Sequence, residues 1–491
     1  MARVQKHRDT QKIIANLQIC IDMLNDTLLS HVPYYMYEMM AVEVLNAVKV
    51  LIDKTKKGYY PHISMPKFFT KMNVVVSLTE VVLNSRLKNI DFTVWPKIMR
   101  YVLYKSLVKM TGLENLNLGS CSAWKSSEID KNILDGIKNM KNLQSICLCF
   151  DCSDLIIQTI SETCPFIQSI DVTSSRSVTD RSIPYLLSCK NLKVLQLHGT
   201  SILSQGLAKL ISGLPKLQDI GRCDDFPNVI KFIKENKIRT GPFALKKIHA
   251  RDLSTKHLRN IVEMFPKAEY VSIFHDTQMA DLTVLASLDH LQELKLLPCA
   301  FYGNYLKELL EVIGSNLTTL HLEHAEDLDF NFLIHLGRYC TRLKSLVLYN
   351  CDFTFTNLPY NALNLGLYFQ CLERLFWVVD GATAQLEFIL MHALNMEYVY
   401  LGSSTGITHA SIVNILRVNP MKKLEELRVL YSSDMNMKTV ELLLASCTHL
   451  RVLSELESWQ GITLEELRDF KNHIIRNNFD LDIRPTLSFS S

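Results

Sequence analysis

Leu343-Lys-Ser-Leu346-Val-Leu348-Tyr-Asn-Cys351 is the cleanest copy of a phrase that recurs along this chain. Its beat returns at Leu113-Glu-Asn-Leu116-Asn-Leu118, Leu192-Lys-Val-Leu195-Gln-Leu197, Leu291-Gln-Glu-Leu294-Lys-Leu296 and Leu317-Thr-Thr-Leu320-His-Leu322. Weaker copies start at Leu78, Leu143, Ile167, Leu217, Leu245, Ala268, Leu372, Met396, Leu424 and Leu450. The starts from Leu78 to Leu450 recur about every 27 residues, room for one strand and one helix per unit. Such a period means stacked units rather than separate globules.

The side-chain period of a strand is two, so Leu346 and Leu348 share a face and point inward. Burying each such leucine contributes about 1.5–3 kcal/mol. One unit cannot cover its own leucines, so stability comes from stacking neighbours. Between phrases, Ile183–Leu187, Gly206–Leu210 and Val440–Ala445 read as helices. The expected fold is α/β, a leucine-rich-repeat solenoid: parallel strands line the inner curve of a horseshoe and helices its outside. Thr179, Thr408 and Thr463 are placed to open helices, the last with Glu466 as a capping box. Phe479, Leu481 and Ile483 alternate with Asp480, Asp482 and Arg484, which predicts a closing strand. Gly221 and Arg222 fall where strand residues belong, and Trp377 takes an inward slot usual for leucine. Both spots predict local irregularity.

Residues 1–77 lack the phrase and form a helical segment; residues 78–491 form the solenoid. Ile14, Leu17, Ile21, Leu24 and Leu28 make one helical stripe, and Pro33 breaks it. Met36, Met40, Val44, Val48 and Leu51 make a second, ended by Lys54-Thr-Lys-Lys-Gly58 and Pro61. Two readings compete. The helices cap the exposed end of the repeat core, or one face docks a partner, since Met36, Met39, Met40 and Val42 exceed what one stripe needs.

Net charge is +3 with pI about 8.1, too balanced to argue for nucleic acid or an anionic membrane. Apolar residues reach 48%, yet no run of 18 occurs, so no bilayer span is expected. The start, Met1-Ala-Arg-Val-Gln-Lys-His-Arg-Asp, lacks the apolar core of a secretory signal. Thirteen cysteines, an odd number, then predict free thiols in a reducing compartment, the cytoplasm or the nucleus.

Cys164, Cys189, Cys340 and Cys447 stand three residues before a phrase, and Cys121, Cys299 and Cys351 in its ninth position. With Ser177-Val-Thr-Asp180, this resembles the cysteine-containing leucine-rich repeats of F-box proteins over roughly residues 110–460. The resemblance implies a substrate receptor of a cullin-based ubiquitin ligase, bound to a Skp-type adaptor through an N-terminal box. Val32-Pro33-Tyr-Tyr-Met36-Tyr-Glu-Met-Met40 is similar to the opening of that box. Leu17-Gln-Ile-Cys20, followed by Val32-Pro33, is similar to an elongin-binding box, with leucine three rather than four residues before cysteine. The implied adaptor-binding residues are Leu17, Ile21, Leu24, Val32, Pro33, Met36, Met40 and Val44. The alternatives are an elongin-linked receptor and a repeat scaffold or inhibitor without a ubiquitin role.

Motifs for chemistry are few. Cys147-Leu-Cys149-Phe-Asp-Cys152 suggests metal, but same-face positions on a strand lie about 7 Å apart, too wide for two zinc thiolates without a kink. Structural cysteines explain the string better. Gly402-Ser-Ser404-Thr-Gly406 matches a nucleophile elbow, yet Ser404 fills the repeat's ninth slot, as Cys351 does. In His321-Leu-Glu-His324 one histidine faces the concave side and the other lies in the turn. No phosphate loop occurs. We therefore expect no enzyme, cofactor or metal.

A protein partner is expected on the concave face. Its outward positions are Lys247, His249, Arg251, Tyr270, Phe274, Lys295, His321, Tyr349, Phe376, Tyr398, Tyr400 and Arg428. Large aromatics on a solvent-facing strand surface lack a core role, and Tyr and Arg commonly anchor interfaces. The Lys247/His249/Arg251 strand suits an acidic segment of such a partner.

Overall fold

The computed structural model describes residues 19, 23, 26, 27, 31–56, 76, 77, 79–93, 95, 97–120, 127–236, 242–276, 278–299, 303–354 and 368–485. Two compact units divide the chain: Met1–Arg222 with Phe232–Arg239, and Cys223–Lys231 with Thr240–Ser491.

In the first unit each phrase makes a strand: β1 (Asn89–Asp91), β2 (Asn115–Ser120), β3 (Ser145–Cys149), β4 (Ser169–Asp171), β5 (Val194–Gln196), then β6 (Asp219–Cys223) at its boundary. The second unit continues with β7 (Lys247–Arg251), β8 (Tyr270–Asp276), β9 (Glu293–Cys299), β10 (Thr319–Glu323), β11 (Ser345–Tyr349), β12 (Arg374–Val378), β13 (Tyr398–Leu401) and β14 (Glu426–Val429). After these come β15 (Ser432–Asn436), β16 (Val452–Ser454) and β17 (Trp459–Gly461); β16 pairs with β14, while β15 and β17 form a separate ribbon. Pairing is parallel, and leucine stacks on leucine: Leu294, Leu320, Leu346, Leu375, Val399, Leu427 and Leu453 share one register row. All of them are buried. The chain has the leucine-rich-repeat fold.

Helices fill the return path of most repeats, among them Asp154–Thr163, Ser204–Gly213, Thr255–Met264, Phe330–Tyr339 and Met437–Ser446. The cysteines ahead of the phrase make the turn out of these helices. Cys164, Cys189, Cys340 and Cys447 are buried at helix C-caps. Each of their carbonyls accepts the N–H of the leucine or isoleucine that opens the next phrase, at 3.1–3.2 Å. Burial pushes the Cys340 and Cys447 thiols up to about 12, so they are protonated and structural at neutral pH. Thr179, Thr408 and Thr463 cap helices as expected, and the box of Thr463 with Glu466 is complete.

Asp154 ties one repeat to the next. It accepts from Thr179 N–H and Oγ1, both at 2.8 Å, and from Ser182 Oγ at 2.5 Å. Burial raises its carboxyl, but the bonds from Ser182 and Thr179 outweigh burial and leave it below its ordinary value. A depressed carboxylate contributes stability above its unfolded pKa and loses it as pH falls through the folded value. Asp154→Ala should therefore cost about 1–2 kcal/mol at pH 7. The gap to wild type should close as the denaturant midpoint is followed below pH 4, the ordinary carboxylate range.

Several sequence expectations need correction. Leu78 lies outside the described residues, and residues 79–82 beside it are helical. The first phrase is Leu87-Lys-Asn-Ile90-Asp-Phe92, whose three apolar residues are buried and which feeds β1. The closing strand reduces to one bridge, Val452 to Asp482, because Asn478 adopts a left-handed cap and Arg484 clasps Asp482 at 2.6 Å. Ser404 is exposed, and Thr405 takes the buried slot instead. Gly221, at φ +64 with Gln196 Oε1 where a Cβ would sit, marks the irregular β6. Trp377 is fully buried.

The helix Tyr34–Lys56 follows Pro33 as expected, and its buried residues are Tyr37, Ala41 and Leu45. Tyr37 decides the rotation, since its hydroxyl donates to Val82 O at 3.0 Å and accepts from Asn84 Nδ2 at 2.5 Å. Glu38 accepts from Asn89 N–H at 2.7 Å, satisfying a donor of β1. Met40, Val44 and Val32 are half-buried, Pro33 is exposed, and Val32 O accepts from Arg86 at 2.7 Å. Met39 is 63% exposed, with Met36 and Val42 also open. Leu17, Ile21 and Leu24 lie outside the described residues.

Candidate functional site

On the strand face opposite the buried leucines, the parallel register sets side chains in rows across the second unit. One row runs Val347, Phe376, Tyr400, Arg428; the next runs Ser345, Arg374, Tyr398, Glu426. Neighbouring strands lie about 4.8 Å apart, close to the spacing of stacked rings. The Phe376 and Tyr400 rings accordingly stack with centroids 4.3 Å apart and planes 5° apart. Arg374 lies 5.0 Å over the Tyr398 ring, and Tyr349, 37% exposed, stands on β11 beside them. Arg428 pairs with Glu426 along β14, which holds its guanidinium beside the rings.

Burial raises the Tyr398 and Tyr400 phenols, assisted by Glu426 at the first and by Tyr398 and Glu455 at the second. Both are neutral hydrogen-bonding groups at physiological pH. Half-buried aromatic rings, an arginine on each side and neutral hydroxyls suit recognition of a peptide segment. Of this cluster, Arg374 escaped the sequence reading. It occupies the first strand position, two residues before Phe376, in the same outward slot that Tyr398 fills on β13.

A second group forms on β7 to β10. His249 packs against Tyr270 at 4.6 Å, and Lys295 lies 5.2 Å over the same ring. His321 Nε2 is 3.0 Å from Glu323. Burial lowers the His321 imidazole, Lys295 adds to this, and Glu323 opposes it. His324 lies in the turn after the strand, at φ +53. Lys247 and Arg251 are exposed on β7. Phe274 departs from expectation: it is only 8% exposed, because Arg251 and Leu297 flank it in register on a central strand. It packs the surface and offers little of it.

The first unit carries a different cluster. Cys147 Sγ and Cys149 Sγ are 3.6 Å apart, and each lies 3.8 Å from a carboxylate oxygen of Asp171 on β4. The 7 Å separation expected of an ideal strand is thus corrected. Phe150 turns left-handed at φ +70 directly after β3, and the register with β2 slips between Asn117 and Gly119. Burial raises both thiols, and the charge of Asp171 raises them further. A cavity of about 490 Å³ opens beside them, walled by Val42, Asn46, Asn89, Asn117 and Cys147.

Among the described residues no helix is long and apolar enough to cross a membrane. No protein-family model matches the chain, and no curated protein does. Solved structures do resemble it at low identity. A leucine-rich-repeat protein of Leptospira interrogans is 16% identical, with 83% of this chain and 91% of that one covered, at a TM-score of 0.39. A chain of the yeast Rad7 and Elc1 complex is 14% identical, with 85% and 94% covered, at 0.38. A chain of the TLR13–ssRNA13 complex is 17% identical, with 83% and 63% covered, at 0.35.

Proposed function

We propose that this chain is a non-catalytic receptor for a protein segment, which it holds against the open sheet face of the second unit. The observation that carries this reading is the Phe376–Tyr400 stack, framed by Arg374, Tyr398, Tyr349 and Arg428. Stacked repeats present extended surfaces of this kind for partners. Lys247, His249, Arg251 and Lys295 add a basic flank for an acidic stretch of the same segment.

We further infer that the receptor serves a cullin-based ubiquitin ligase as its substrate-recognition subunit. Helix Tyr34–Lys56 supports this reading, because among its described side chains Tyr37, Ala41 and Leu45 are buried while Met36, Met39 and Val42 stay exposed as an open apolar face. A Skp-type adaptor is the occupant we assign to that face. The intact chain, used as bait for the purified adaptor with the elongin dimer in parallel, provides the test. Met39→Glu with Val42→Glu should weaken adaptor capture about tenfold or more, equivalent to ~1.4 kcal/mol, without lowering the melting temperature. Retention of the elongins alone would reassign the receptor class. Retention of neither would remove the ligase role and leave an interaction scaffold.

A further inference from the structure

We propose that Cys147, Cys149 and Asp171 form a binding site for a thiophilic divalent cation, with zinc as the ion their geometry fits. Tetrahedral zinc sits about 2.3 Å from thiolate sulfur and about 2.0–2.2 Å from carboxylate oxygen, which sets two sulfurs about 3.8 Å apart and sulfur from oxygen about 3.5–3.7 Å. The observed separations are 3.6 Å between sulfurs, 3.8 Å from Cys147 Sγ to Asp171 Oδ2 and 3.8 Å from Cys149 Sγ to Asp171 Oδ1, with one ligand atom from each residue within 4.8 Å of the others. Ligand atoms therefore already stand close to where the ion would hold them.

The frame is built rather than accidental. Cys147 and Asp171 are register partners on adjacent strands, so the backbone ladder fixes their approach. The left-handed turn at Phe150 ends β3 at Cys149, where its sulfur leans back toward Cys147. Asp171 Oδ1 also accepts from Thr173 N–H at 3.0 Å and Thr173 Oγ1 at 2.7 Å, the outer hydrogen bonds that orient a ligating carboxylate. Among the described residues this is the one trio of His, Cys, Asp or Glu whose ligand atoms come within 4.8 Å of one another. The helix-capping thiols Cys164, Cys189, Cys340 and Cys447 are instead buried in the core.

Three protein ligands leave one tetrahedral position. All three residues are partly exposed, and Cys147 lines the 490 Å³ cavity, so the ion has an entry path and room for water or an incoming ligand. The arrangement resembles an open site more than a closed structural one, which would use four protein ligands.

The test uses the full chain, purified under reducing conditions, stripped by a chelator and titrated with zinc against a chromophoric competitor. One equivalent should bind. Cobalt should give the near-ultraviolet absorption of thiolate-to-metal charge transfer. Cys147→Ser and Cys149→Ser should abolish that band, Asp171→Asn should weaken binding about 10–100-fold, and Cys189→Ser should change neither. Melting curves report whether each variant folds, and Asp171→Asn keeps the test open if a serine variant does not. Zinc binding unchanged in the folded serine or Asp171→Asn variants would overturn the site. So would a wild-type chain that holds no zinc, or one that keeps Cys147 and Cys149 as a disulfide under reducing conditions.

Discussion

Trp377→Ala is expected to lower stability by about 3–5 kcal/mol, the range for deleting a large buried aromatic. Trp377 sits in the inward row between Leu348 and Leu401, is fully buried, and stacks on Phe353 at 5.6 Å. Removing it leaves a hole that flanking repeats cannot close, because their strands are pinned by register on both sides. The indole N–H finds no acceptor among the described residues. Trp377→Phe should therefore cost clearly less, since it keeps a ring in the slot and deletes an unpaired donor. Denaturant unfolding followed by circular dichroism measures both. A loss below about 1 kcal/mol for the alanine variant would place Trp377 outside the packed core.

Phe376, the preceding residue, should behave in the opposite way. Strand alternation sends it to the open face, where it stacks on Tyr400. Phe376→Ala and Tyr400→Ala should each weaken partner capture by at least about 1–2 kcal/mol, as central aromatic anchors do. Their melting temperatures should stay near wild type. Because the rings touch, the double variant should lose less than the sum of the single losses. Additive losses would mean that the partner engages the rings separately. Unfolding of either single variant would make the stack part of the core.

The period of the phrase was enough to read the repeat fold, because every inward leucine must meet another leucine in the next repeat. The four cysteines before the phrase were legible for a related reason: a small apolar group fits the tight turn between helix and strand. The first phrase, Leu87-Lys-Asn-Ile90-Asp-Phe92, was missed because isoleucine and phenylalanine replace two of its leucines. The N-terminal helix was placed correctly along the chain, while its apolar spacing left open which face it buries. Apolar spacing alone cannot tell that Tyr37 satisfies its hydroxyl inside while Met36 and Met39 remain outside. The Cys147–Cys149 approach was also hidden, since an ideal strand keeps such thiols apart and only the turn at Phe150 brings them together. Outward positions were read from alternation, which gives direction and not exposure. Phe274 points outward and is covered all the same.

The central claim is that the open sheet face of the second unit, rather than its helix layer, recognises a protein. Quantitative capture from a native extract tests it most directly, comparing the intact chain with Phe376→Ala/Tyr400→Ala and with Val418→Glu, an exposed helix position. The intact chain and Val418→Glu should bind a common set of partners that the sheet-face double variant loses. Partners retained by the double variant and lost with Val418→Glu would contradict the claim.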